Sequence, residues 1–141
     1  MAWVTPKTDW YGSSDVDGNY IGDRFNAVDF NRIKNNLEHL REMANNLYKE
    51  ISLVSLDDKT PSDYFYADEI NQLESNLITI NNNTLKRSYG VAPQYVPNGN
   101  TMDFTELNRL EGAIFDLYSR LNHQAVNRRT LSWNFGIKGG L

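Results

Sequence analysis

FNAVDFNRIKNNLEHL, residues 25–40, is echoed twice further along the chain, as FYADEINQLESNLITI at 65–80 and MDFTELNRLEGAIFDL at 102–117. The shared kernel runs acid, apolar, Asn, Arg or Gln, apolar, then Lys or Glu. Its asparagines, Asn31, Asn71 and Asn108, stand 40 and 37 residues apart. That period leaves room for one helix and one connection per unit, so the chain reads as three copies of a single structural idea.

Each copy continues with apolar residues at alternating three- and four-residue steps, the spacing that lines side chains along one helix face. The first holds Phe30, Ile33, Leu37, Leu40, Ala44, Leu47 and Ile51; the second Ile70, Leu73, Leu77 and Ile80; the third Leu107, Leu110, Ile114, Leu117 and Leu121. All three keep the same phase relative to the kernel asparagine. Narrow seams of this kind favour near-parallel helices packed at a shallow angle. The expected fold class is therefore mainly α, a three-helix bundle or coiled-coil-like packing over residues 25–122, with helices at about 27–51, 67–85 and 104–122.

The start signals agree. Asn26 followed by Asp29, and Asp103 followed by Glu106, place a capping side chain three residues before an acid, which also complements the helix dipole. The middle copy has Tyr66 at that place, so an earlier start at Ser62 or Asp63 is also open. Asn31, Asn71 and Asn108 each follow a seam residue and belong at the flank of the packed face. A repeated recognition surface is one reading of them. The preferred reading is structural, with each amide tying its helix to an incoming connection.

Residues 1–24 carry Trp3, Trp10, Tyr11 and Tyr20 among Gly, Ser and Asp without helical periodicity, and read as an extended aromatic arm. Rings of this size either cover the bundle or insert into a neighbour, which makes them subunit-interface candidates. Between the second and third helices, SYGVAPQYVPNGN at 88–100 holds Pro93, Pro97, Gly90 and Gly99, so it reads as an extended crossing with a turn at Asn98 and Gly99. Residues 123–141 read as a second, basic arm. Leu131, Trp133, Phe135 and Ile137 alternate with smaller or polar residues there, the period of a half-buried strand whose partner would be another molecule. Arg128, Arg129, Trp133 and Phe135 are the interface candidates in this arm.

The net charge of −4 over 141 residues argues against general nucleic-acid binding, which needs a basic surface to displace phosphate counterions. The distribution is uneven. Asp9, Asp15, Asp17, Asp23 and Asp29 oppose only Lys7 and Arg24 near the start, whereas no acid follows Asp116 and Arg120, Arg128, Arg129 and Lys138 do. The two ends could attract each other within or between subunits; solvated tails are the alternative. No apolar run is long enough to cross a bilayer, and the start MAWVTPKTDW lacks the layout of a secretory signal. With no cysteine, disulfides and thiolate sites are excluded.

Chemistry has no visible candidate. His39 and His123 lack a partner at metal-site spacing, and no phosphate loop, dinucleotide fingerprint or nucleophile elbow occurs. Asp15, Asp17 and Asn19 suggest a calcium loop, but the pattern fails: with Asp15 first, Tyr20 takes the glycine place, and with Ser13 first, Arg24 takes the glutamate place. A turn at Asp17 and Gly18 is the better account. Asp57 and Asp58 read as a polar loop beside Lys59 and Pro61. The expectation is a protein that is not an enzyme, with no catalytic, cofactor or metal residues and no cofactor.

The arm and first kernel together, WVTPKTDWYG at 3–12 followed by DRFNAVDFNRIKNNLEHL at 23–40, resemble a module of tail-associated structural proteins from phages and prophages of Gram-positive bacteria. PKTDW and FNAVDFNRIKNN carry the likeness, and ELNRLE at 106–111 and LSWNFGIKGGL at 131–141 look like the same group's downstream pattern. The resemblance implies a virion or tailocin component made in the host cytoplasm and placed at the tail tip, baseplate or fibre attachment. Its implied partners are other tail structural proteins and further copies of itself, with neither nucleic acid nor membrane. The long fibrous or lectin-like extension of a receptor-binding protein is missing from the sequence, which favours an adaptor. The competing readings are a surface-sugar module that stacks ligands on Trp3, Trp10 or Trp133, and a head or neck structural protein.

Overall fold

The computed structural model describes residues 3–97 and 102–137, with side chains up to residue 128. It contains three helices packed on one another: α1 (Ala27–Leu47), α2 (Ala67–Asn82) and α3 (Phe104–Ile137). The equivalent seam residues come together in a single core. Phe30, Ile70 and Leu107 precede the kernel asparagines, Ile33, Leu73 and Leu110 follow two residues after them, and Leu37, Leu77, Ile114, Leu40, Ile80 and Leu117 fill the next turns; none is more than 5% exposed. Ala44 and Leu121 prolong the seam, while Leu47 is half-buried against it.

The helices all point the same way. Phe25, Phe65 and Phe104, at or just before the three helix starts, line one cleft at one end. Toward the other end, the Tyr48 hydroxyl, just past α1, donates to Gln124 of α3 at 2.8 Å. Parallel neighbours require the chain to return the full length of the bundle between helices, and residues 48–66 and the described part of the second connection, 83–97, run back in largely extended form. The N-terminal arm runs the same course as the returns. Trp3 lies against Tyr118 of α3, Val4 meets Asn36 of α1, and Trp10 meets Asn108 near the start of α3.

The helix starts form as their sequences dictate. Asn26 and Asp29 build a reciprocal capping box, with the Asp29 N–H donating to Asn26 Oδ1 at 3.2 Å and the Asn26 N–H to Asp29 Oδ2 at 3.0 Å. At α3, Asp103 Oδ1 accepts from the Glu106 N–H at 2.9 Å, and the Thr105 hydroxyl and that N–H hold the Asp103 carboxyl below the usual range. The middle helix starts at Ala67, not at Ser62 or Asp63. Asp63 is committed to a turn, its N–H donating to Thr60 O and its carboxylate accepting from the Thr60 N–H.

The helix ends differ from the expected ones. α1 stops at Leu47 rather than 51 because Tyr48 leaves helical backbone (φ −125°, ψ −87°), after which Asn45 Oδ1 captures the Ile51 N–H at 2.8 Å. Ile51 still buries itself in the core from this position. α2 stops at Asn82 rather than 85, where the Asn83 amide and Thr84 hydroxyl bond back to Thr79 O and Ile80 O.

The largest difference lies in α3. Helix continues to Ile137, so residues 123–137 are not an extended arm and the alternation of Leu131 to Ile137 does not make a strand. A lone strand has no ladder partner here, whereas lengthening an existing helix adds a hydrogen bond per residue with no new nucleation cost. No proline interrupts the run. Among the described residues the strand-like pairing is a single bridge, Ser14 with Tyr20, around Gly18 at φ +86°. The turn expected at Asp17 and Gly18 is present, and the one expected at Asn98 and Gly99 lies outside the described residues.

Candidate assembly interface

The kernel asparagines are clamps. Asn31 donates Nδ2 to Lys59 O at 2.9 Å and accepts the Lys59 N–H at Oδ1 at 2.7 Å. Asn71 does the same to Tyr95 (2.8 and 2.9 Å), and Asn108 to Trp10 (2.9 and 2.8 Å). A flat amide offers one donor and one acceptor side by side, which matches the N–H and C=O of one residue in an extended segment. Each helix thereby grips the segment that leads into the next helix, and α3 grips the arm that leads into α1.

A second set lies five residues on. Asn36 pairs in both directions with Val4 (3.0 and 2.7 Å) and Asn76 with Val54 (2.9 and 3.0 Å). Sequence reasoning missed these two, although KNN and ESN at the same offset carry the signal. The third copy has Ala113 at that place, and Arg109 Nη1 reaches Tyr89 O instead, at 3.4 Å. Each extended segment thus spans two helices and fills the groove between them.

Charged side chains stitch the same grooves. Glu111, fully buried, accepts Arg32 Nε at 2.7 Å, Arg32 Nη2 at 2.8 Å, the Lys7 N–H at 3.1 Å and Trp10 Nε1 at 2.5 Å. Burial works to lower the pKa of Arg32, but Glu111 and Asp29 outweigh it, and the guanidinium is held more firmly charged than in water. Glu74, at the equivalent place on α2, pairs through Oε1 with Arg109, and its Oε2 finds no partner among the described residues. Burial dominates and raises the Glu74 pKa. On α1 the place holds Lys34, which pairs with Asp58 of the connection.

The interface candidates separate accordingly. Trp10 is 4% exposed and belongs to the core, so its ring covers the bundle and is not free to enter a neighbour. Trp3 is half-buried and stacks on Tyr118 at 3.8 Å between centroids and 8° between planes, with His39 tilted beside both. Two of the three tryptophans considered as sugar platforms therefore have ring surface occupied by their own chain. Tyr11 and Tyr20 are exposed, at 55% and 40%. Arg128 lies over the Tyr48 ring at 5.4 Å and donates to Leu47 O, which joins α3 to the end of α1. The side chains of Arg129, Trp133 and Phe135 lie outside the described residues.

Asp15 uses its carboxylate locally. Oδ1 accepts the N–H groups of Asp17 and Asn19, both at 2.9 Å, as in an Asx turn. Among the described residues no three His, Asp or Glu side chains gather as metal ligands, and no helix is long and apolar enough to cross a membrane.

Two surface features remain. The first is the cleft at the helix starts, about 430 Å³, walled by Trp10, Tyr20, Phe25, Phe65 and Phe104 and edged by Asp23, Arg24 and Asp103. Gly12 packs against the Phe104 ring so tightly that a Cβ there would sit 2.3 Å from Phe104 Cδ1. The second is the last part of α3. At 34 residues against 21 in α1, it outruns its neighbour by about 20 Å. No protein-family model, curated protein or solved structure matches the chain.

Proposed function

We propose that the chain is a structural subunit of a phage or tailocin tail, an adaptor at the tail tip, baseplate or fibre attachment that works by protein–protein assembly. The supporting observation is where the residues behind the resemblance lie. In PKTDW, Lys7 and Trp10 fasten the arm to Glu111 and Asn108; in FNAVDFNRIKNN, Asn31, Arg32 and Asn36 fasten connection, helix and arm. The likeness is thus carried by the stitching of a rigid body, with no reacting group among those residues. Rigidity serves a part that must transmit position between neighbours, since a preorganised surface loses little conformational entropy on docking. The stem of α3 and the aromatic cleft are the surfaces such a part would offer.

Immunogold labelling of purified particles with antibody raised against the chain tests the proposal. Label confined to one end of the tail is expected. Particles that carry no label and yield no peptide of this chain by mass spectrometry overturn it, and label on the capsid or neck moves the role to the head.

A further inference from the structure

We propose that the aromatic cleft at the helix starts receives the C-terminal segment of a second copy, so that copies join head to tail. This deepens the assembly reading and rests on it only for the premise that the chain self-associates.

The cleft presents the exposed ring surfaces of Phe104, 37% accessible, and Tyr20, 40% accessible, over the half-buried Phe25 and Phe65. Its volume of about 430 Å³ is ample for one or two aromatic side chains. The C-terminal segment supplies such groups in Trp133 and Phe135. The charges match as well. Asp23 and Asp103 edge the cleft with Arg24, and Asp9, Asp15 and Asp17 belong to the arm and turn beside it; Lys7, paired with Asp9 and Asp23, and Arg24 offset only part of this acidic set. No acid follows Asp116, whereas Arg128, Arg129 and Lys138 precede the end of the chain. An acidic rim around an apolar floor fits a basic segment that carries aromatic residues.

Geometry decides that the occupant is another molecule. The helices share one direction, so the end of α3 lies about 50 Å from Phe104 at its start. Trp133 and Phe135 lie within α3 itself, about 45 Å along its axis from Phe104, so the helix holds them away from the chain's own cleft. A cleft at one end and its occupant at the other make a heterologous contact, which propagates into a ring or a filament rather than closing as a two-fold dimer.

Complementation in solution tests this. In sedimentation velocity the wild-type chain is expected to form concentration-dependent species larger than a dimer, which weaken as salt rises. Phe104→Arg, which sets a cation in the cleft, and Trp133→Ala, which removes an occupant, are each expected to weaken association at least tenfold. An equimolar mixture of the two regains a dimer and nothing larger, because it retains one competent cleft and one competent tail. If Phe104→Arg loses its helical circular dichroism, Phe104→Ala takes its place. A monomeric wild type, association untouched by both variants, or a mixture that stays monomeric overturns the proposal. A chain that is monomeric in solution yet present in tails would leave the adaptor role standing and remove only this contact.

Discussion

The groove between α1 and α3 and the groove between α2 and α3 are built on the same plan, and they treat a buried carboxylate in opposite ways. In the first, Glu111 has both oxygens satisfied, by Arg32, the Lys7 N–H and the Trp10 indole. In the second, Glu74 has Arg109 on one oxygen and, among the described residues, nothing on the other. The difference traces to the residue that each clamp holds. Asn108 holds Trp10, whose ring carries its donor to Glu111; Asn71 holds Tyr95, whose hydroxyl is buried with no partner among the described residues and whose pKa burial pushes up to about 12. Repetition of the kernel therefore fixes backbone geometry, while the saturation of buried charge depends on single residues outside it.

The comparison breaks most visibly at Glu111. Glu111→Gln leaves Arg32 buried with only Asp29 as a charged partner and is expected to cost about 3 kcal/mol in urea unfolding at neutral pH. A loss under about 1 kcal/mol would show that the pair is not a stabilising pin. Asn108→Ala comes next. It removes two hydrogen bonds from the backbone of Trp10, leaves those groups poorly partnered, and is expected to cost about 2 kcal/mol, read as a lower denaturant midpoint with the slope unchanged.

Glu74→Gln gives the smallest effect and sharpens the contrast. Because the folded state raises the Glu74 pKa, its contribution to stability is full below the unfolded carboxylate pKa and is lost as pH rises through the folded value. A permanently neutral glutamine escapes that loss but weakens the pairing with Arg109, which keeps Glu106. The net change expected at neutral pH is within about 1 kcal/mol of zero, and a plot of stability against pH flatter than wild type through the acid range is the check. A loss equal to that of Glu111→Gln would make the two grooves equivalent after all.

Much of the bundle was legible in advance because it rests on periodicity. The seam from Phe30 to Leu121 and the caps at Asn26 and Asp103 are local patterns with local physics, and they lie in the structure where spacing put them. The structural reading of Asn31, Asn71 and Asn108 also followed from local reasoning, since an amide flanking a packed face needs a backbone partner. Which backbone it meets was not legible: Trp10 and Asn108 are 98 residues apart, and no spacing rule connects them. The end of α3 was misread for a related reason. Residues 131–137 alternate as a strand does, but whether alternation becomes a strand depends on a ladder partner, a property of the whole fold. The aromatic cleft was invisible for the same cause, since Phe25, Phe65 and Phe104 converge only because the helices share one direction.

That shared direction also governs how the molecule must come into being. An up-and-down bundle closes each helix on the one just synthesised, but here the arm that emerges first waits for the helix that emerges last, with Trp10 and Glu111 101 residues apart. Until α3 has left the ribosome the indole has no shelter and the first groove no far wall, so closure belongs with the slow, non-local folding reactions rather than with the rapid assembly typical of helical proteins.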